Sequence, residues 1–161
     1  MSERTLILLR HAKSEWSGDE VDIDRPLAVR GRRQAPEAGA WLAANVDSIG
    51  LAVVSPATRA LNTWDLVAAE LKGAPRTRLD DRLYAASAEE LLTVVRELPA
   101  DVESAILVGH NPGLEDLISL LTGEPTRMAT SAIAVIAVPG SWPTTAPHAC
   151  ALNASGRPPR P

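Results

Sequence analysis

The chain has a single cysteine, only two lysines and no phenylalanine among its 161 residues, and no apolar run long enough to cross a bilayer. One cysteine, Cys150, excludes an internal disulfide and fits a reducing compartment. A membrane-spanning helix needs about 18 or more consecutive apolar residues, which are missing. The opening "MSERTLILLR" is too short and wrongly flanked for a secretory signal, so the chain is read as cytoplasmic with no membrane partner. Net positive charge is lacking as well. A formal charge of -4 argues against a nucleic-acid partner, because such proteins usually present a basic face. Any anion must therefore be held by a local cluster. No H-E-x-x-H is present, and neither His11 nor His110 has a nearby cysteine or second spaced histidine; no metal and no cofactor are expected.

What is present describes an ordinary globular chain. With 45% hydrophobic and 22% charged residues, a chain of this length is expected to form one domain over residues 1–161. Apart from Lys13 and Lys72 every basic residue is arginine, whose planar fork suits phosphate or carboxylate. Short apolar runs at 5–9, 51–55, 104–109 and 131–138 read as strands covered on both faces. Amphipathic stretches at about 30–45, 56–72, 87–98 and 112–122 read as helices. The order β-α-β-α-α-β-α-β predicts an α/β fold, a three-layer α/β/α sandwich around a mostly parallel sheet.

Ser87 with Glu90 forms a capping box, and Ser55-Pro56 and Asn111-Pro112 each place a capping residue before a proline. Pro36 predicts a late start or a kink in the first helix. Six of the thirteen prolines lie in residues 139–161, so an extended tail with one edge strand, "HACAL", is expected there. Trp16, Trp41 and Trp64 read as packing residues, Trp142 as the opening of the tail and His148 as a surface residue. Cys150 lacks the Cys-x5-Arg spacing of a cysteine phosphatase by one residue, since position 156 is Gly156 and the arginine is Arg157. It reads as an ordinary thiol.

Three strand ends carry the chemistry. "LILL" runs into Arg10 and His11, "LAVVS" into a helix bearing Arg59, and "SAILVG" into His110 ahead of "NPGLEDL". In an open parallel sheet, ligands bind at the carboxyl ends of strands, where helix N-termini add unpaired N–H groups. If those strands are neighbours, two histidines and two arginines converge on a compact dianion site.

"LLRHAKSEW", "DRPLAVRGRRQA", "VVSPATRALNTW" and "LVGHNPGLEDL" resemble, in order and spacing, the histidine phosphatase superfamily, and most of all its small bacterial branch of phosphohistidine phosphatases. The resemblance covers about residues 5 to 138 and implies a phosphoglycerate mutase-like fold. It implies a metal-independent phosphatase that hydrolyses phosphohistidine on a phosphotransfer protein. The nucleophile would be His11, which would become a phosphohistidine, with Arg10, Arg59 and His110 binding and stabilising the phosphoryl group and Ser14 as an accessory. Ala12 stands where the family more often has glycine, and Lys13 where larger mutases have an acid. The glutamate those mutases carry after the second strand has no direct equivalent in "DDRLYAASAEE". Asp81 and Glu89 lie near that position, and Asp19, Glu20, Asp22 or Asp24 of the first loop are further candidate proton donors. Asp24 and Arg25 are expected to pair and order that loop; the run at 30–33 reads as a solvated helix start, with guidance of an acidic partner as the alternative. A missing acid favours phosphohistidine over an alkoxide ester, because imidazole leaves without further protonation once its remote nitrogen carries a proton. Two alternatives stand beside this reading: a phosphatase of a small phosphate ester or nucleotide, and a non-catalytic phosphate-binding adaptor.

Overall fold

In the computed structural model, which describes residues 3–16 and 18–161, seven strands form one sheet. They are β1 (Glu3–Arg10), β2 (Leu51–Val54), β3 (Arg76–Leu79), β4 (Ser104–Gly109), β5 (Ile133–Pro139), β6 (Ala151–Gly156) and β7 (Pro159–Arg160), in the order β3-β2-β4-β1-β5-β6-β7. The first four in that order run parallel, and β5, β6 and β7 continue antiparallel. The sheet is thus parallel where the site lies and antiparallel beyond it.

Each residue of "LILL" is fully buried because both faces of β1 are covered. Leu6 and Leu8 pack with α3 (Ala88–Arg96) and α4 (Gly113–Thr122), while Ile7 and Leu9 pack on the other face with α1 (Val29–Asn45) and α2 (Thr58–Ala68). Two apolar layers on opposite faces of one sheet make the three-layer sandwich. Period-two alternation of side chains within a continuous apolar run permits this double burial.

Several expectations change. β3 is unpredicted because "RTRL" is polar and mostly exposed; as an edge strand it pairs on one side only. α1 begins at Val29 and continues through Pro36. The Ser87 capping box is present, with both reciprocal hydrogen bonds. Neither Ser55 nor Asn111 caps a helix: α2 starts after Ala57 and α4 after Pro112, without side-chain caps. Both side chains turn toward the strand-end rim.

The proline-rich segment is folded onto the domain. Trp142 is fully buried in the core beneath α3 and α4, and its indole N–H donates to the Val102 carbonyl at 2.7 Å. The strand expected at "HACAL" starts later, at Ala151, and as β6 it is paired on both sides, with β7 as the edge; His148 adopts φ 59° and the backbone N–H groups of His148 and Cys150 donate to the carbonyls of Leu120 and Leu121 of α4. Among the described residues no helix is long and apolar enough to cross a membrane.

Candidate active site

β2, β4 and β1 are adjacent and parallel, so their carboxyl ends share one edge. Arg10 lies level with Gly109, and the next residue of each strand, His11 and His110, projects beyond the sheet; Ser55 follows β2 on the other side of β4. The His11 N–H donates to the Gly109 carbonyl at 3.0 Å, and the Ser131 N–H donates to the carbonyls of Arg10 and His11. The next backbone donor, Ala12 N–H, bonds Thr63 Oγ1 at 2.9 Å, and that hydroxyl donates to the Arg59 carbonyl. These bonds leave the strand end little freedom.

The side chains of Arg10, His11, Arg59 and His110 line one pocket of about 190 Å³, together with Lys13, Ser14, Trp16, Arg25, Asn111 and Thr130. The two imidazoles lie 5.0 Å apart between centroids, at 52°. His11 Nδ1 lies 2.8 Å from the Ala12 carbonyl, which can only accept, so Nδ1 donates and Nε2 is left unprotonated. Arg10 Nη1 donates to the Met128 carbonyl at 3.1 Å, anchoring the far end of the guanidinium. Arg59 is anchored similarly: Nη1 donates to the Asp22 carbonyl at 2.7 Å and Nη2 to Asp22 Oδ2 at 3.1 Å. Three buried nitrogens around the pocket, Arg10 Nε, Arg59 Nε and His110 Nδ1, have no protein partner. Buried polar groups in a native fold are normally satisfied, so unpartnered nitrogens on three residues that line one pocket make it a candidate ligand site, and the two arginines favour an anion.

Asp22 is the carboxylate that bonds Arg59, while Glu115 accepts from Asn111 near Arg10. Asp22 sits in a 3-10 turn (Asp22–Asp24) and bonds Arg59, Arg25 and Tyr84, whose hydroxyl donates to Oδ2 at 2.5 Å. The Tyr84 hydrogen bond, reinforced by Arg59 and Arg25, lowers its pKa to about 2, so Asp22 is ionised at neutral pH and is no proton donor. Asp19, Glu20 and Asp81, the expected donors, are exposed and do not line the pocket, nor does Glu89. Arg25 pairs with Asp22 and not with Asp24, because residues three apart eclipse on a 3-10 turn and adjacent ones diverge. Arg25 also donates to Ser14 Oγ at 2.9 Å, so the Ser14 hydroxyl is held from outside while it lines the pocket. Trp16 is 70% exposed and carries the Arg25 guanidinium over its ring at 3.5 Å; it is a lip of the pocket and not a core residue.

Sequence reasoning passed over Ser55, Thr63, Tyr84 and Asn111 as site residues. The signals were weak but present: Ser55 and Thr63 flank Arg59 at four residues on either side, one helical turn, and Tyr84 is the only tyrosine.

Burial is the main cause that lowers the pKa of His11 to about 3 and, with the Arg59 charge next, that of His110 to about 4. Both rings are neutral at pH 7. In the unfolded chain both titrate near 6.5, so the unfolded state binds more protons between about 4 and 6.5. Their contribution to stability is therefore complete above about pH 6.5 and is lost as the pH falls toward 4. The urea midpoint is expected to drop between pH 7 and 4.5. A His11→Asn/His110→Asn double variant is expected to flatten that slope; an unchanged slope would place its origin elsewhere.

Fold and site together define a three-layer α/β protein with a cluster of two arginines and two histidines at the carboxyl edge of its parallel strands. The family model of the histidine phosphatase superfamily, branch 1, matches residues 6–125. A candidate phosphohistidine phosphatase SixA from Nakamurella multipartitia superposes with a TM-score of 0.89 at 28% identity, covering 98% of each chain. An uncharacterized protein of Mycobacterium tuberculosis is 34% identical over 89% of this chain and 96% of its own. A 2,3-bisphosphoglycerate-dependent phosphoglycerate mutase of Bradyrhizobium diazoefficiens is 39% identical over 92 residues, 52% of this chain and 44% of its own. The chain belongs to the histidine phosphatase superfamily and has its phosphoglycerate mutase-like fold. Membership makes it an enzyme of the phosphatase or mutase type.

Proposed function

We propose that the chain is a phosphohistidine phosphatase acting on a phosphorylated protein, with His11 as the nucleophile. The observation that carries this reading is one pocket lined by two arginines and two histidines with no Asp or Glu among its described lining residues. The cradle is the pocket shared by His11, whose Nε2 is unprotonated, and by Arg10, Arg59 and His110, each with one unpartnered nitrogen. Asp22, which bonds Arg59 beside the pocket, is held ionised. An alkoxide leaving group would need a proton donor there. N-phosphorylated imidazole does not, because its remote nitrogen brings its own proton.

The steps balance without an added acid. His11 Nε2 attacks phosphorus, and the P–N bond to the substrate imidazole breaks with its electron pair going to that ring nitrogen. The substrate histidine leaves neutral, still carrying its remote N–H. His11 now bears the phosphoryl group on Nε2 and a proton on Nδ1, and its positive ring is stabilised by the Ala12 carbonyl. Arg10, Arg59 and His110 offset the charge on the equatorial oxygens, the positioning and electrostatic role that dominates phosphoryl transfer. Water then attacks phosphorus, the electron pair returns to Nε2, and the water proton ends on the released dihydrogen phosphate. Resemblance to the SixA structure and a pocket of about 190 Å³ bordered by exposed Trp16 support a protein-borne substrate.

Rates on a phosphohistidine-bearing phosphotransfer domain, sugar phosphates, phosphoglycerates and nucleotides, measured side by side, test this reading. The expected result is a kcat/KM at least about tenfold higher for phosphohistidine. Preference for a small ester would replace the reading with an ester phosphatase, and no turnover of any activated phosphate would leave a binding domain.

A further inference from the structure

Ser55 is fully buried at the end of β2, and its Oγ lies 2.7 Å from His110 Nε2. The Ala57 backbone N–H donates to the same oxygen at 3.2 Å. That backbone bond occupies an acceptor position on the hydroxyl and leaves its proton free for another partner. The other ring nitrogen, His110 Nδ1, is buried, has no protein partner and belongs to a ring that lines the phosphate pocket.

We infer that Ser55 is a positioning residue that donates its hydroxyl proton to His110 Nε2, fixing the ring as the Nδ1–H tautomer and aiming that N–H at the phosphoryl oxygen. The inference rests on the phosphatase reading of the site and adds a residue whose role that reading leaves unassigned. It explains how two neutral histidines 5.0 Å apart perform opposite tasks. Both rings carry their proton on Nδ1. In His11 the Ala12 carbonyl accepts that proton, so the unprotonated Nε2 faces the pocket as the nucleophile. In His110 the Ser55 hydroxyl covers Nε2, so the N–H faces the pocket as a donor. A carbonyl beside one ring and a hydroxyl beside the other set nucleophile and electrophile without any difference in charge. The reverse arrangement, with Nε2–H donating to Ser55, would direct a bare nitrogen lone pair at an incoming phosphate and repel it.

Nitrogen-15 NMR of the histidine rings in the wild-type protein at pH 7 tests the tautomer without reference to any substrate. The expected spectrum has a protonated Nδ1 and a pyridine-type Nε2 on His110, with the Nδ1–H signal shifting when inorganic phosphate is added. An Nε2–H tautomer in the wild type would overturn the inference. Ser55→Ala is expected to give a mixture of tautomers on His110 and a roughly 10- to 100-fold lower kcat on phosphohistidine and p-nitrophenyl phosphate alike, the usual cost of losing an orienting partner. Unchanged kcat in a folded Ser55→Ala protein would also overturn it. If the variant does not fold, the wild-type spectrum decides. The substrate panel above tests the phosphatase reading separately, because the tautomer measurement is independent of which phosphate compound is hydrolysed.

Discussion

Replacing His11 with alanine is expected to lower turnover of every phosphorylated substrate by about four orders of magnitude or more, leaving a folded protein. The magnitude follows from loss of the covalent route itself and not of one contact among several. Alanine offers no atom to accept the phosphoryl group, and the remaining cradle can only bind and polarise the substrate. The fold should survive, because the imidazole belongs to neither apolar cluster and the bonds that pin this strand end come from the backbone of residues 10 to 12. Rapid acid-free quenching of the wild-type reaction should capture a phospho-enzyme that is stable in alkali and labile in acid, as a phosphoramidate is. His11→Ala should give none. Retained turnover in the variant, or an acid-stable adduct in the wild type, would remove His11 from the reaction.

Arg59→Ala is expected to cost about a thousandfold in kcat/KM, near the upper end for one transition-state donor. Arg59 is buried to 6% exposure, and both of its terminal nitrogens are committed to Asp22. That grip leaves Nε without a protein partner, and in the proposed reaction it is the edge that bonds the phosphate. Truncation removes the donor and also frees Asp22, the residue that ties the first loop to Tyr84 and Arg25. Lysine is expected to rescue poorly: an ammonium group is a point charge and cannot hold the loop with two nitrogens while presenting a third to the substrate. Steady-state kinetics of Arg59→Ala and Arg59→Lys check this, with Asp22→Asn as the comparison. Asparagine keeps both the backbone carbonyl and a side-chain oxygen for Arg59, so its loss should be smaller. Equal losses in Arg59→Ala and Asp22→Asn would assign the effect to the loop and not to the phosphate donor.

The acidic loop after Trp16 shows where reasoning from residue type alone runs out. Its carboxylates were equivalent candidates for a proton donor in the chain, and the fold separates them. Asp19 and Glu20 point to solvent, whereas Asp22 meets two arginines and a tyrosine that lie 3, 37 and 62 residues away. Those partners hold it ionised, which converts the expected acid into a clamp. The same long-range logic explains Ser55, which a local rule assigns to a helix cap. Its hydroxyl finds His110 across the neighbouring strand instead, 55 residues away. Trp142 failed in the opposite direction: a proline-rich context marks loose chain, but an indole with a carbonyl to bond at Val102 is worth burying.

The chain by itself determined the layers and the candidate site residues. Continuous apolar runs can be buried only as strands covered on both faces, and the abrupt change from those runs to Arg10, His11, Arg59 and His110 needs no partner to be visible. Tertiary structure decided everything that depends on which strand lies beside which. Placing β4 between β2 and β1 brings Ser55, His110 and His11 into line along one edge. Only that adjacency sets which nitrogen of each histidine is covered, which arginine edge is free, and which carboxylate loses its proton. Hydrogen-bond direction and charge state are set by neighbours a few ångströms away, and a linear sequence does not contain those distances.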